Sequence, residues 1–196
     1  LEAAHPELAD PDSPTQRVGG EPVAGFETVR HAVPMTSIDN TYSIEDLQAW
    51  YERVLKGLDR AVAETSDDAD AEGGLFGGDP SPGPDVDLVC DPKIDGVAIS
   101  LRYERGRLVS ATTRGDGATG DDITSNVRAI RSIPLSLATD EPPEVVEIRG
   151  EIVMPNASFE RVNAEREAAG EPLFANARNS TAGTLKSLDP RITARR

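Results

Sequence analysis

A single apolar stripe runs along residues 43–64. Apolar side chains recur there at the three- and four-residue steps of one face of an α-helix. They are Ile44, Leu47, Trp50, Tyr51, Val54, Leu55, Leu58 and Val62. Ser43 is a suitable N-cap, and Glu45 and Asp46 place negative charge in the first turn, where the helix dipole favours it. The pattern predicts a helix over 43–64.

From Val86 onward the pattern changes to strands. Apolar residues alternate with smaller or polar ones over residues 97–103, a turn follows at 104–107, and a second strand is expected over 108–113. The alternating residues are Val97, Ile99, Leu101 and Tyr103. This arrangement predicts a β-hairpin.

A further strand and a short helix are expected downstream. Val145, Ile148 and Ile152 mark the strand, and residues 156–169 read as a helix with Asn156 as its cap and Gly170 as C′. Antiparallel hairpins combined with peripheral helices favour an α+β fold over a doubly wound parallel sheet.

Composition limits the class of protein. The 196 residues suit one domain or two at most. No apolar run approaches the roughly 20 residues that span a bilayer, and the first residues are acidic and lack the apolar stretch of a secretory signal. Cys90, the single cysteine, excludes an internal disulfide and cannot make a zinc site alone. We expect a cytoplasmic protein without membrane contact.

The negative charge of the chain is unevenly distributed. The formal net charge is −15, and residues 64–87 carry eight acidic residues and no Lys or Arg. Residues 64–85, rich in Asp, Gly, Pro and Ser, are expected to form a disordered acidic insertion. Residues 161–196 carry seven basic and four acidic residues. A basic surface for nucleic acid is therefore compatible with the acidic total.

The first candidate for chemistry is the tetrapeptide Lys93-Ile94-Asp95-Gly96, which lies just before the predicted hairpin. A lysine amine attacks phosphorus only in its neutral form, so desolvation or nearby positive charge has to activate it. Asp95 supports the motif, and Gly96 permits close approach of the backbone to a ligand. Taken alone, the tetrapeptide is a weak signal and favours a surface lysine before an Asp-Gly turn over a nucleophile.

Two further segments change that balance. The turn at 113–122 combines three glycines with several hydrogen-bond donors and Arg114, and such a turn can enclose a phosphate or a ribose. Glu151, in Arg149-Gly150-Glu151, supplies a carboxylate suited to a ribose hydroxyl or a metal ion. Each has an ordinary alternative, a glycine-rich turn and a solvent-facing strand residue.

Together these segments resemble the adenylation (nucleotidyltransferase) domain of bacterial NAD-dependent DNA ligases. The resemblance covers nearly the whole chain and rests on the order and spacing of many short motifs. They are residues 12–19, 33–35, 37–40, 93–96, 113–117, 149–151, 174–179, 182–186 and 188–193. It implies the nucleotidyltransferase fold, with antiparallel sheets, flanking helices and a nucleotide cleft.

The resemblance also implies roles for individual residues. Lys93 is expected to attack NAD, the consumed adenylate donor, and to form lysine-AMP. The expected nucleotide contacts are Ser37, Ile38, Asp91, Arg114 and Glu151, and the expected DNA contacts are Arg178 and Lys186. Asp91 stands where the family usually has Glu, and Lys186 stands where it has Arg, which binds phosphate bidentately.

The resemblance further predicts organisation, cofactors and partners. Residues 1–12 are expected to be the remnant of an NMN-binding domain or a linker, and residues 13–196 an incomplete adenylation domain. Mg²⁺ or Mn²⁺ is implied, while the family's Zn²⁺ ligands fall beyond Arg196. Nicked double-stranded DNA is the expected partner of a monomer associated with the bacterial nucleoid. We expect this chain alone to bind adenosine weakly, to adenylate itself poorly and not to seal nicks.

Two other classes of function remain open from the sequence. A truncated paralogue could serve only as a nucleotide- or DNA-binding module. An ATP-dependent ligase or RNA-capping relative would share the Lys-x-Asp-Gly motif, although residues 113–117 and 174–179 point away from it.

Overall fold

The computed structural model describes residues 25–66 and 86–196, without the side chains of 59–66. The chain divides into a first unit, Leu1–Thr36 with Lys93–Arg196, and a second unit, Ser37–Pro92. In chain order, the elements of the described residues are β1 (Thr28–Arg30), α1 (Ile44–Ser66), β2 (Val97–Glu104), β3 (Arg107–Thr113), β4 (Thr119–Asp121), α2 (Thr124–Arg128), β5 (Val145–Ile152), α3 (Asn156–Ala168), α4 (Ala177–Leu185) and α5 (Pro190–Arg195).

The second unit contains the predicted helix, α1. Ser43 caps it as expected, because its hydroxyl accepts a hydrogen bond from the Asp46 amide at 3.1 Å. The helix extends to Ser66, past the predicted end at 64. The rest of the predicted acidic insertion, residues 67–85, lies outside the described residues.

The first unit is built on a three-stranded antiparallel sheet with the order β3-β2-β5. The predicted hairpin is confirmed as β2 and β3. Its turn residues, Arg105 and Gly106, both have positive φ values, 48° and 80°. This is the backbone form of a two-residue turn whose twist matches that of the flanking strands. The predicted α+β fold is confirmed by these antiparallel strands and the helices around them.

A second, two-stranded sheet joins β1 to β4. It brings the segment after β1 to the turn between β3 and β4. The His31 amide donates to the Ala118 carbonyl at 3.0 Å, and the Met35 amide donates to the Gly117 carbonyl at 2.9 Å. Residues 31–35 are therefore tied to the loop that follows β3.

The apolar core of the first unit joins the sheet to the helices. Its buried members are Ile99, Tyr103, Leu108, Ala111, Ile123, Val127, Leu135 and Leu185. Tyr103 is 1% exposed, and its hydroxyl donates to the Pro134 carbonyl at 2.9 Å. Burial raises the pKa of the Tyr103 phenol, which therefore stays a donor at neutral pH. Asn126 connects α2 to the end of α4, because its amide donates to the carbonyls of Leu185 and Ser187.

The start of α3 differs from the prediction and its end agrees with it. Asn156 is the first helical residue and Pro155 is the N-cap, without a side-chain cap bond, so the predicted Asn156 cap is wrong. The reason is that the Pro155 carbonyl already accepts from the amides of Ser158 and Phe159. At the other end Gly170 has φ 68° and its amide donates to Glu167, as expected for C′.

Replacing Tyr103 with Phe tests the buried hydroxyl. Tyr103→Phe should lower the free energy of unfolding by about 1 kcal/mol, because the Pro134 carbonyl loses its donor. Urea denaturation followed by circular dichroism measures this change. Tyr42→Phe is the matched control, since Tyr42 is 88% exposed. Equal losses in the two variants would contradict the role of the Tyr103 hydroxyl.

Candidate active site

The candidate nucleophile Lys93 lies in the short segment that leads into β2. Its side chain is exposed, and it makes no hydrogen bond or ion pair with any residue that the structure describes. Ile94, the next residue, is 56% exposed. The amine is therefore open to a ligand and is not held in a structural contact within the described parts of the chain.

Glu151 is brought to the lysine motif by the pairing of β2 with β5. The register places Ala98 opposite Glu151 and Val97 opposite Ile152. At this position the Glu151 Oε1 atom accepts a hydrogen bond from the Gly96 amide at 3.0 Å. The carboxylate predicted from the sequence is therefore joined directly to the motif that carries Lys93.

Gly96 is required by the same close approach. A Cβ atom at this position would overlap the Ile152 carbonyl oxygen and would lie 2.8 Å from the Val153 Cγ1 atom. The glycine thus permits the hydrogen bond between its amide and Glu151. Its role in the structure is contact with β5, whereas the sequence motif by itself predicts only close approach to a ligand.

Arg114 lies at the same end of the sheet, directly after β3. Its amide donates to the Ala98 carbonyl at 3.0 Å, and Ala98 is the residue opposite Glu151. The His31 ring, which is largely buried, lies 3.2 Å through Nε2 from the Arg114 carbonyl. The pairing of three strands therefore places Lys93, Arg114 and Glu151 at one end of one sheet.

The glycine turn after Arg114 is held by Asp116. The Asp116 Oδ1 atom accepts hydrogen bonds from the amides of Ala118 and Thr119, at 2.9 and 2.7 Å, and from the Thr119 hydroxyl at 3.2 Å. Gly115 and Gly117 have φ values of 57° and 93°, which other residues rarely adopt. Asp116 therefore organises the turn, and its carboxylate is used within the protein.

Asp95 is joined to a second predicted site residue. Its Oδ1 atom lies 2.6 Å from the Arg178 Nη1 atom, and the two side chains are 65% and 50% exposed. Arg178 is in the first turn of α4, whose N-cap Asn176 accepts from the Asn179 amide. An ion pair this exposed adds little stability. Its main effect is to place a guanidinium beside the lysine motif.

The structure places the remaining predicted residues elsewhere in the described parts of the chain. Lys186 forms an ion pair of 2.7 Å with Asp121 at the end of β4. Ser37, Ile38 and Asp91 belong to the second unit, where all three are exposed and the Ser37 hydroxyl lies 3.5 Å from the Ile38 carbonyl.

Arg149 has a structural role in this region that its sequence motif does not predict. Its guanidinium contacts the backbone carbonyls of Val33 and Pro34, which are far away in sequence. Arg149 lies two residues before Glu151, so the two side chains are on the same face of the strand. This spacing is the one feature of the sequence that could have pointed to Arg149.

The described residues contain no group of three or more His, Cys, Asp or Glu side chains placed to hold a metal ion. Mg²⁺ bound together with substrate phosphates needs only one or two carboxylates. Glu151 fits that mode, because Gly96 occupies its Oε1 atom while Oε2 accepts no hydrogen bond from the described residues. A structural zinc site built on several cysteines does not fit, since Cys90 is the single cysteine.

Substitution of Gly96 tests the close contact with β5. Gly96→Ala should destabilise the chain by about 1–3 kcal/mol, because the new methyl group forces β2 away from the Ile152 carbonyl. Gly150→Ala is the matched control on the neighbouring strand, where a Cβ atom would meet nothing within 4 Å. Urea midpoints of both variants measure the effect. A Gly96→Ala midpoint as high as that of the control would contradict the proposed crowding.

The Asp116 turn predicts a dependence of stability on pH. Hydrogen bonds from the amides of Thr119 and Ala118 and from the Thr119 hydroxyl hold the pKa of Asp116 below its usual range. The stabilisation is therefore present above the unfolded pKa of about 3.9 and is lost as the pH falls through the folded value. In urea titrations from neutral to acidic pH, the difference between wild type and Asp116→Asn should shrink in this window.

The exposed Asp140, to which no described residue donates a hydrogen bond, gives the control Asp140→Asn. This variant should follow the wild-type curve. If the stability difference for Asp116→Asn stayed constant into the acidic range, the turn would not depend on the ionised carboxylate.

Two parts of this chain match models of known protein families. Residues 81–196 match the family model of the NAD-dependent DNA ligase adenylation domain. Residues 1–19 match that of the DNA ligase-like N-terminal NAD⁺-binding domain. Among the described residues, no helix is long and apolar enough to cross a membrane.

Curated relatives agree over the whole chain. It is 52% identical over 196 residues to proteins named DNA ligase from Ectopseudomonas mendocina (strain ymp), Synechococcus sp. (strain WH7803) and Desulforudis audaxviator (strain MP104C). These alignments cover 100% of this chain and 23%, 26% and 26% of the relatives. The chain therefore spans about a quarter of the length of these relatives. The resemblance inferred from the motifs is confirmed: the chain belongs to the NAD-dependent DNA ligase family, and residues 81–196 belong to its adenylation domain.

Proposed function

We propose that this chain carries the self-adenylation step of an NAD-dependent DNA ligase, with Lys93 as the nucleophile. The observation that carries the proposal is the exposed Lys93 at the sheet end shared by Arg114 and Glu151, in a chain of this family.

The step joins the lysine to AMP. The Lys93 Nζ atom uses its lone pair to form a bond to the α-phosphorus of NAD. The bond from that phosphorus to the bridging oxygen breaks, nicotinamide mononucleotide leaves with the bonding electrons, and the amine proton passes to solvent. The product is a lysine–AMP phosphoramidate, and NAD is consumed as a substrate.

The neighbouring residues have distinct parts in this proposal. Arg114 supplies positive charge to the nucleotide's sugar–phosphate, and Glu151 faces its ribose. Gly96 holds the lysine segment through the hydrogen bond to Glu151, and Asp95 places the Arg178 guanidinium beside that segment. Ser37, Ile38 and Asp91 are proposed nucleotide contacts on the evidence of the motif match.

Mg²⁺ or Mn²⁺ would be held by the Glu151 carboxylate together with phosphate oxygens of the bound nucleotide. The ion supplies neutralisation of phosphate charge. The fit rests on the Glu151 Oε2 atom, which accepts no hydrogen bond from the described residues.

The later steps concern DNA. The 5′-phosphate of a nick would attack the lysine-AMP phosphorus and release Lys93, and the 3′-hydroxyl would then attack the nick phosphorus and release AMP. Arg178 and Lys186 are proposed phosphate contacts, because their partners Asp95 and Asp121 form exposed or half-exposed ion pairs that phosphate can replace.

We place this activity in bacterial replication and repair, in a cytoplasmic monomer associated with the nucleoid. We also propose that residues 1–12 belong to an NMN-binding domain or a linker and residues 13–196 to the adenylation domain.

Transfer of labelled adenylate from NAD to Lys93 tests the proposal. We would incubate the protein encoded by the whole reading frame, and this chain alone, with adenylate-labelled NAD and Mg²⁺. The expected result is label that is stable in denaturant and maps to Lys93 by peptide mass spectrometry, with less label on this chain alone than on the longer protein. Lys93→Arg should remove it, because guanidinium is not a nucleophile at neutral pH.

Lys56→Arg provides the matched control. The chain has three lysines, and Lys56 is an exposed residue of α1 that the proposal does not use. Label retained in Lys93→Arg would contradict the assignment of the nucleophile. Reversible nucleotide or DNA binding without any covalent label would favour the alternative of a non-catalytic binding module.

A further inference from the structure

We propose that Arg149 is a positioning residue that anchors the backbone at Val33 and Pro34 and so fixes the start of the segment that carries Ser37 and Ile38. The inference rests on the proposed function, because Ser37 and Ile38 are proposed nucleotide contacts. It concerns a residue that contacts neither the lysine nor a reacting atom.

The anchor consists of two hydrogen bonds to consecutive carbonyl groups. The Arg149 Nη2 atom donates to the Val33 carbonyl at 2.6 Å, and the Nη1 atom donates to the Pro34 carbonyl at 3.0 Å. The two planar donors of a guanidinium suit such a pair, whereas an ammonium group lacks the fork geometry. Arg149 therefore holds both the position and the direction of this backbone.

Glu147 supports the guanidinium from the other side. Its Oε1 atom accepts from the Arg149 Nε atom at 2.9 Å, and its side chain is only 23% exposed. Burial alone would raise the pKa of Glu147. The hydrogen bonds from Arg149 and Ser100 and the positive charge of Arg149 outweigh it and hold that pKa below its usual range. The carboxylate therefore stays ionised at neutral pH and orients Arg149.

The backbone of residues 31–35 needs such an anchor at its centre. His31 and Met35 are buried at 9% and 7% exposure and bond to the turn after Arg114, but Val33 between them is 59% exposed. Side-chain packing does not hold the middle of the segment, so the two carbonyl contacts from Arg149 do. They attach the segment to β5, the strand that also carries Glu151.

The position of this segment bears on nucleotide binding through the chain itself. Thr36 follows Met35 and ends the first unit, and Ser37 and Ile38 come next. A fixed backbone at Val33–Met35 restricts where the following residues begin. Loss of the anchor should therefore weaken NAD binding and have a smaller effect on the rate of the chemical step at Lys93.

The test measures Lys93 adenylation against NAD concentration in the protein encoded by the whole reading frame. Arg149→Met keeps the apolar stem and removes the donors. It should raise the half-saturating NAD concentration about tenfold, while the rate at saturating NAD stays within about threefold of wild type. Arg149→Lys should be intermediate, because one ammonium can satisfy one carbonyl but not both.

Arg102→Met is the matched control. Arg102 lies on the same sheet, is 39% exposed, and pairs at 2.9 Å with Glu104, two residues away, as Arg149 pairs with Glu147. It has no contact with the Val33–Pro34 carbonyls, so the half-saturating NAD concentration should not change. Amide hydrogen exchange over residues 33–38 gives a second readout and should quicken in Arg149→Met alone.

The outcomes separate this inference from the proposed function. If the wild-type protein takes no label, the proposed function is refuted. Hydrogen exchange then tests the anchoring role of Arg149 by itself: unchanged exchange over residues 33–38 in Arg149→Met overturns the inference. If wild type is labelled, an unchanged half-saturating concentration in Arg149→Met overturns the inference. Equal losses of binding and maximal rate in Arg149→Met and Arg149→Lys, with a lowered melting temperature, indicate a merely structural role and overturn it as well.

Discussion

The candidate site depends on the antiparallel register of β2 with its two neighbours. Ala98 is the central residue of that register: its carbonyl accepts from the Arg114 amide, and it lies opposite Glu151. Because antiparallel partners run in opposite directions, the end of β3, the start of β2 and the end of β5 meet at one edge. A slip of one residue would turn the Glu151 side chain to the other face of the sheet and break its bond to Gly96.

The glycines of this region are needed because backbone segments lie in close contact, more than because the chain is flexible there. A Cβ atom on Gly96 would overlap the Ile152 carbonyl, and one on Gly120 would overlap the Thr113 carbonyl. On Gly117 it would lie 2.9 Å from the Met35 carbonyl. These approaches pack the lysine segment against the end of β5, and the turn after Arg114 against the segment after β1. Because these backbone segments lie close to one another, the charged side chains that they carry can also lie close together.

Local pairing of charges matters more here than the net charge of −15. The two cations proposed for DNA contact, Arg178 and Lys186, are each paired with a carboxylate in the first unit, Asp95 and Asp121. Exposed pairs of this kind contribute little stability, so a phosphate can replace the carboxylate at small cost. Much of the excess negative charge lies in residues 64–87, a separate stretch of the chain.

The sequence by itself determined the local features: α1 with its Ser43 cap, the β2–β3 hairpin, the Gly170 terminus of α3, and a set of motifs specific enough to identify the family. Each depends on neighbouring residues, whose periodicity and turn chemistry are visible in the chain. The predicted Asn156 cap failed because the Pro155 carbonyl had already taken the first amides of the helix. The pairing of Asp95 with Arg178 and the hold of Arg149 on Val33 join residues about eighty or more positions apart. Only the tertiary structure decided these contacts, because they follow from strand register and from the path of the chain between strands, which no local pattern encodes.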